Sequence, residues 1–169
     1  MADFREITPQ EIAENPFKLI GGDWALVTAG DRERFNTMTI SWGGMGIMWN
    51  KPVVFSFIRP QRYTFEFTEQ NDHFTMSFFD EEYRKALAFC GSKSGRDVDK
   101  VKETGLTPAF TEDGVPYFEE AKLVLVCKKL YAQDLNAQSI TDQAVVSPNY
   151  NGNDYHKMYV SEIVKALTV

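Results

Sequence analysis

Hydroxyl-bearing and basic residues gather at three points of this sequence, and each set has the composition of a polar-ligand site. The first set is Asn36–Trp42, in which Thr37, Thr39 and Ser41 occupy alternate positions. Alternate side chains of a β-strand share one face, so the three hydroxyls would form a row of donors and acceptors. A strand with a solvated Thr/Ser face has the same pattern, and the segment alone leaves both interpretations open.

The second set lies where a predicted strand gives way to a predicted helix, at Ile58–Thr64. Pro60 presets the first helical turn, and Arg59 and Arg62 flank it. Free backbone N–H groups and the positive end of the helix dipole favour an anion at such a junction. The two arginines would add charge-assisted hydrogen bonds to a phosphate. Two surface arginines beside a helix start are the alternative.

The third set is the run Cys90–Lys100, which combines small residues with hydroxyl and cationic donors. Its glycines let the backbone approach a ligand, and its serines, Arg96 and Lys100 supply hydrogen bonds. The run lacks the Gly-x4-Gly-Lys-Ser/Thr spacing of a P-loop. A capped loop in which Asp97 pairs with Lys100 is the alternative.

The overall charge makes these local sets informative. The chain has 18 Lys and Arg against 24 Asp and Glu, a net charge of −6. Such a chain has no broad electrostatic footprint for nucleic acid or anionic lipid. Any anion must therefore be held by a local basic patch, and the three local sets of basic and hydroxyl residues are what a mononucleotide-sized anionic cofactor would need.

Length, cysteine content and hydropathy set the expected context. The 169 residues fit one domain, and Cys90 and Cys127 are too few for a disulfide framework. No signal peptide is visible at the amino terminus, and no apolar run approaches the ~20 residues of a membrane span. We expect a cytoplasmic protein that spans no membrane and binds no nucleic acid.

The elements that must position these residues are mainly strands. Alternation and apolar runs predict six strands, at residues 24–29, 35–42, 53–58, 73–79, 122–130 and 157–165. Helices are predicted from Thr8, which begins a capping box, and over residues 61–70, 81–89 and 97–103. The fold class is mainly β with inserted helices, a small α+β barrel rather than a Rossmann sheet. One domain, 1–169, is predicted, with a core of about 15–165 behind an N-terminal helix.

These segments, in this order, resemble the flavin reductase-like proteins, and among them the flavoredoxin type. The resemblance rests on Asn36–Trp42, Arg59–Thr64, Phe74–Phe78, Cys90–Val101 and His156–Ile163. It implies an FMN-binding split β-barrel, a homodimer and a flavin near the subunit interface. The Gly- and Met-rich stretch Gly43–Trp49, where a simpler loop is expected, leaves the residue at the reactive edge of the flavin open.

The resemblance also implies the residues that hold the cofactor. Those implied to contact the flavin are Thr37, Met38, Thr39, Ser41 and Trp42. Those implied to hold the ribityl phosphate are Arg59, Arg62, Tyr63, Thr64, Ser94 and Lys100. Asn36, Gly95 and Arg96 complete the predicted cofactor-binding set. No metal site is expected, and His156 is the candidate for a catalytic side chain.

The function so implied is an NAD(P)H-dependent flavin reductase that uses FMN, or FAD, with NADH or NADPH as co-substrate. An FMN-holding electron carrier that passes electrons to a partner protein is the first alternative. A non-catalytic barrel for an apolar ligand is the second, and it would explain the Phe-rich strands but not the clustered cations. The net charge weighs against a third, an oligonucleotide-binding barrel.

Overall fold

Ten β-strands are found in residues 3–169, the part of the chain that a computed structural model describes. They are β1 Arg5–Ile7, β2 Ala25–Gly30, β3 Phe35–Ile40, β4 Gly43–Met48, β5 Lys51–Ile58, β6 His73–Phe78, β7 Pro108–Phe110, β8 Pro116–Phe118, β9 Leu123–Asp134 and β10 Lys157–Thr168. Seven of them form an antiparallel sheet in the order β3-β2-β6-β9-β10-β5-β4, to which β1 adds through β10. Strands β7 and β8 form a separate hairpin.

The sheet closes on itself at its two edges. Strands β3 and β4 are the ends of the path, although only Ser41 and Trp42 separate them in the chain. Ile40 and Gly43 are three residues apart and can be separated by at most about 11 Å, so the adjoining ends of β3 and β4 lie close together although the two strands are not paired. The result is a barrel that is split between β3 and β4. This confirms the predicted fold class, mainly β with inserted helices.

Three α-helices of the described part of the chain lie on the connections between strands. They are α1 Tyr63–Gln70, α2 Arg84–Ser92 and α3 Lys100–Thr104. A π-helical segment, Phe17–Asp23, precedes β2, and single 3-10 turns occur at Pro9–Glu11, Glu81–Tyr83, Ala137–Ser139 and Gln143–Val145. The last two turns belong to the long connection between β9 and β10.

Alternation divides the apolar residues between two cores. Phe74, Met76 and Phe78 of β6 point into the barrel, as their shared spacing predicts, and are fully buried there. Residues of the opposite register, such as Leu26 and Val124, pack outside the barrel against Leu87 and its neighbours on α2. The second core fixes α2 against the barrel wall, and therefore fixes the loop that follows it.

All six predicted strands are present, and four further strands were missed. The most consequential is β4, which occupies the Gly43–Trp49 stretch that was expected to be a loop. Its glycines have low strand propensity. Its hairpin to β5 turns at Trp49 and Asn50, which both have positive φ. A Trp-Asn pair is not among the sequences that signal such a turn, so the pattern gave no indication of a strand.

The predicted N-terminal helix is reduced to one turn. The Glu11 carboxylate does accept a hydrogen bond from the Thr8 backbone N–H, at 2.7 Å, as the capping box predicts. The chain leaves helical geometry at Ile12, whose ψ is 107°, and the element ends as the 3-10 turn Pro9–Glu11. A cap satisfies only the first N–H groups, and a helix this short has no apolar face to stabilise it.

Candidate functional site

The turn between β3 and β4 opens onto a cleft of about 130 Å³, hereafter the turn cleft. Its lining residues are Met38, Thr39, Ile40, Ser41, Trp42, Phe57, Arg59, Arg62 and His156. All but Ile40 and Phe57 were singled out from the sequence. The fold therefore brings the hydroxyl strand, the strand-to-helix junction and the start of β10 to one place.

A second cleft, of about 580 Å³, lies at the start of β3 between α1 and α3, and is hereafter the α1–α3 cleft. The predicted residues that line it are Asn36, Thr37, Tyr63, Gly95, Arg96 and Lys100. A β-carbon at Gly95 would meet the Asn36 side-chain oxygen at 2.0 Å, so a larger residue there would displace the Asn36 side chain. The predicted set is thus divided between two clefts, with Arg62 in the turn cleft and Lys100 in the α1–α3 cleft.

Two predicted residues line neither cleft. The Thr64 side chain is fully buried, and its hydroxyl accepts a hydrogen bond from the Asn36 amide at 2.8 Å. The Ser94 hydroxyl accepts the backbone N–H of Arg96 at 3.2 Å. Both side chains therefore support residues that line the α1–α3 cleft, Asn36 and Arg96, without lining it themselves.

Lys100 places a positive charge inside the protein. The residue is only 5% exposed, and its Nζ donates to the carbonyl oxygens of Thr37 at 2.7 Å and of Cys90 at 2.8 Å. Asp97 does not pair with it. The third N–H of the ammonium has no partner among the described residues. Burial, opposed by Cys90 and assisted by the positive charge of Arg62, lowers the pKa of Lys100 to about 8.

Arg62 repeats this arrangement at the start of α1. Its guanidinium donates to the Gly91 carbonyl at 2.9 Å and forms no ion pair within residues 3–169. Burial, and then the charge of Arg59, lower the pKa of Arg62. No side chain caps the N-terminus of α1. Two partly desolvated cations and an uncapped helix start thus meet beside the last turn of α2.

The carbonyls that hold these cations belong to the C-terminal turn of α2. Cys90 and Gly91 lie in that turn, where unpaired carbonyls and the helix dipole attract positive charge. This explains how the cations are retained. It does not neutralise them, because a carbonyl dipole carries no net charge. A bound anion would therefore gain from both.

Arg59 is engaged differently. It forms an ion pair of 2.5 Å with Asp154, and its second amino group donates to the Asn149 carbonyl at 2.6 Å. Its guanidinium also lies over the Tyr150 ring, 5.2 Å from the centroid. These partners all belong to the connection between β9 and β10, so Arg59 is turned toward that connection.

His156 forms the opposite wall of the turn cleft. Its ring lies 4.7 Å from that of Trp42, and its Nδ1 shares a hydrogen bond of 2.9 Å with the Tyr150 hydroxyl. Burial and the charge of Arg59, opposed by Asp154, lower the pKa of His156 to about 4. The imidazole is therefore neutral near pH 7, and it can donate or accept one hydrogen bond at Nε2.

The hydroxyl row is partly covered rather than open. The Thr37 hydroxyl is buried and lies 2.9 Å from that of Thr28, and the Thr39 hydroxyl donates to the Leu87 carbonyl. Helix α2 therefore occupies the face that the alternation leaves free for a ligand. Ser41 is exposed in the turn and lines the turn cleft.

Sequence reasoning missed two parts of the site. Tyr150 and Asp154 complete the wall around His156, but their segment has no periodicity and lies some ninety residues from Arg59. A further cleft of about 510 Å³ adjoins the turn cleft through Ser41 and Trp42, with Phe17 and Gly44 in its lining. The Gly-rich stretch was the one signal for it, because glycine marks close approach to a backbone.

The described residues contain no helix long and apolar enough to cross a membrane. Within the same range, no group of three or more His, Cys, Asp or Glu side chains is placed to hold a metal ion. Cys90 is buried beside Lys100, and burial raises the pKa of its thiol to about 11. A thiol in this state is a packing residue rather than a nucleophile.

Comparison with known families gives a match over most of the chain. The family described as "Flavin reductase like domain" matches residues 18–168. A search of curated proteins finds no match.

Solved structures share the fold. An FMN-binding protein from Thermus thermophilus, with bound 1-cyclohex-2-enone, is 22% identical with a TM-score of 0.66, over 96% of this chain and 76% of that one. Flavoredoxin from Methanosarcina acetivorans is 21% identical with a TM-score of 0.69, over 87% and 68%. An FMN-binding domain of a flavin reductases-like enzyme from Shewanella baltica is 16% identical with a TM-score of 0.70, over 99% and 78%.

Proposed function

The chain belongs to the flavin reductase-like family, and from this premise we propose that it binds FMN and passes reducing equivalents from NADH or NADPH through it. Family membership supports flavin-related redox chemistry. The reductase activity, the nicotinamide nucleotide and the choice of FMN over FAD are parts of the proposal.

One observation carries the proposal: within residues 3–169, the buried Lys100 and the partly buried Arg62 are held only by carbonyl oxygens. A buried charge without a counter-charge is costly, and an anion between the two would remove that cost. A phosphate monoester carries nearly two negative charges at neutral pH and several acceptor oxygens. The uncapped start of α1 adds backbone donors of the same polarity.

The residues around the turn fit a planar ring. Trp42 is 42% exposed and stands between the turn cleft and the adjoining apolar cleft, in contact with the His156 ring. Met38, Thr39 and Ser41 provide the remaining wall on the strand side. When bound, a flavin supplies hydride acceptance and electron release by itself. The chain has to bind the phosphate, hold the ring and leave one face accessible.

The neutral His156 has a defined part in this arrangement. Its Nδ1 is committed to Tyr150, so its Nε2 is the atom that can meet a polar edge of the ring or of a substrate. Protonation would put a positive charge beside Arg59, and their repulsion helps to keep the imidazole neutral. We propose orientation of a bound ring, rather than proton transfer, as its function.

The proposal extends to assembly and setting. Exposed apolar residues lie on and beside β4 and near the turn: Phe17, Trp42, Ile47 and Trp49. Strand β4 is also an unpaired sheet edge. We propose that a second copy of the chain covers this surface in a homodimer. We also propose that residues 1–169 act as one domain in the cytoplasm.

An FMN-holding electron carrier is the second candidate. It would use the same phosphate site but would receive electrons from a partner protein. An apolar-ligand barrel is less well supported, because large side chains such as Phe74, Phe78 and Tyr159 fill the barrel interior. The clefts that could hold a ligand lie outside it.

The proposal is tested by the visible spectrum of the purified protein after addition of FMN. We expect oxidised-flavin bands that stay with the protein on gel filtration, and bleaching when NADH or NADPH is added without oxygen. Retained flavin that neither nucleotide bleaches would favour the carrier. A protein that takes up neither FMN nor FAD would refute both.

A further inference from the structure

We propose that Arg59 is a positioning residue: it fastens the connection between β9 and β10 against the turn cleft and so sets the wall formed by Tyr150, His156 and Trp42. The inference rests on the proposed function for the identity of the ligand. It assigns Arg59 a role other than phosphate binding, in contrast to Arg62 and Lys100. The connection, residues 135–156, is hereafter the β9–β10 connection.

The Arg59 guanidinium donates its hydrogen bonds to the β9–β10 connection. One amino group meets the Asp154 carboxylate at 2.5 Å and its carbonyl at 3.3 Å, and the other meets the Asn149 carbonyl at 2.6 Å. Its positive charge is paired, whereas those of Arg62 and Lys100 are not. A phosphate would have to displace a carboxylate that already satisfies the guanidinium.

The β9–β10 connection has few other ties to the barrel. Within residues 3–169, the hydrogen bonds of residues 136–155 are made inside the segment, apart from those to Arg59 and His156. Most of the segment is exposed. A loop with few buried contacts has a low free energy of local opening. The hydrogen bonds of Arg59 would therefore decide whether this loop stays against the turn cleft.

The anchor is connected to the ligand wall by direct contacts. The Arg59 guanidinium lies 5.2 Å from the Tyr150 ring centroid, and the Tyr150 hydroxyl lies 2.9 Å from His156 Nδ1. The His156 ring in turn lies against Trp42 at 4.7 Å. Release of Arg59 would therefore free Tyr150 first, and then the orientation of the His156 ring that faces the ligand.

Two substitutions separate the positioning role from phosphate binding. We would measure the dissociation constants of FMN and of riboflavin, which lacks the phosphate, for Arg59→Met and Asp154→Ala. The positioning role predicts that each substitution weakens both ligands by a similar factor, about tenfold, because both ligands use the ring wall. Arg32→Ala is the matched control, since Arg32 also ties a loop through a carbonyl, that of Thr111. It should change neither constant.

A phosphate-binding Arg59 would give the opposite pattern. Arg59→Met would then weaken FMN but leave riboflavin unchanged. Asp154→Ala would free the guanidinium and tighten FMN alone. Either result would overturn the inference.

Amide hydrogen exchange tests the anchor without any flavin. We expect Arg59→Met and Asp154→Ala to speed exchange in peptides from residues 136–155 at least tenfold, and Arg32→Ala to leave it unchanged. Unchanged exchange in the first two variants would refute the anchor. A wild-type protein that binds no flavin would refute the proposed function instead, and the exchange result would still decide the role of Arg59.

Discussion

The two ends of helix α1 hold their charged side chains in opposite ways. At the C-terminal end, the Glu69 carboxylate accepts hydrogen bonds from Lys157 at 2.7 Å and from the Tyr159 hydroxyl at 2.6 Å. At the N-terminal end, Arg62 and Lys100 have carbonyl partners and, within residues 3–169, no carboxylate. The Glu69 network with Lys157 and Tyr159, hereafter the closed end, pairs its charges internally. Arg62 and Lys100, hereafter the open end, form a cationic site that could bind an anion.

The ionisation of the two ends shows the same difference. Burial opposes ionisation of Glu69, but hydrogen bonds from Lys157 and Tyr159 outweigh it and lower its pKa. Burial lowers the pKa of Lys100 and of Arg62, and neighbouring cations add to that effect. The closed end favours its charges and contributes to stability. At the open end the charged forms of Lys100 and Arg62 are disfavoured, which lowers the stability of the free protein. Binding sites commonly have ionisable groups with shifted pKa values of this kind.

Removal of a cation from the open end should have the largest effect on ligand binding. We expect Lys100→Met to weaken FMN by about 10- to 100-fold, since a charge-assisted hydrogen bond contributes about 1.5–3 kcal/mol. Riboflavin should bind this variant as it binds the wild type. Fluorescence titration of both ligands measures the two constants.

Lys157→Met is the matched control at the closed end. It also removes a lysine, but one that is paired with Glu69 and lies away from both clefts. The ratio of the FMN and riboflavin constants should stay at its wild-type value. A loss of FMN binding equal to that in Lys100→Met would mean that general charge, and not the open end, attracts the phosphate.

The next effect is a dependence of FMN affinity on pH. Lys100 has a pKa of about 8 in the free protein, so it loses its proton as the pH rises through that value. A bound phosphate favours the charged form. FMN affinity should therefore fall, by up to about tenfold, between pH 7.5 and 9.5. Riboflavin titrations over the same range should stay flat, and so should FMN titrations of Lys100→Met. A flat FMN profile in the wild type would exclude Lys100 from the phosphate site.

The smallest effect concerns the closed end and stability. Glu69→Gln should lower the free energy of unfolding by about 1 kcal/mol, because Lys157 and Tyr159 lose a charged acceptor. Urea denaturation measures this change. Glu66→Gln is the control on the same helix: its ion pair with Arg96 is exposed and should contribute less than 0.5 kcal/mol, as is usual at a surface. Equal decreases in the free energy of unfolding for Glu69→Gln and Glu66→Gln would show that the Glu69 network stabilises the protein no more than an exposed ion pair does.

The sequence predicted those parts of the fold that depend on local pattern. Alternation in Phe74–Phe78 and the run Val53–Ile58 identified strands that are buried in the barrel. Strand β4 was missed because Gly43, Gly44 and Gly46 carry no apolar alternation, and pairing with β5 alone makes it a strand.

The site was predictable in its residue types but not in its pairings. The chemistry of Arg62 and Lys100 was visible, because a cation beside small residues suggests an anion. The burial of Lys100 and the partial burial of Arg62 were not visible, since they follow from the packing of α2 against the barrel. The pairing of Arg59 with Asp154 joins residues 95 positions apart in an irregular segment. No local pattern records such a contact.

The most direct test of the open end is the affinity of the wild-type protein for FMN compared with riboflavin. We predict one site per chain, with FMN bound at least tenfold more tightly, and competition by inorganic phosphate against FMN but not against riboflavin. Equal affinities for the two ligands, or no binding of either, would contradict the claim that Arg62 and Lys100 hold the phosphate of a flavin.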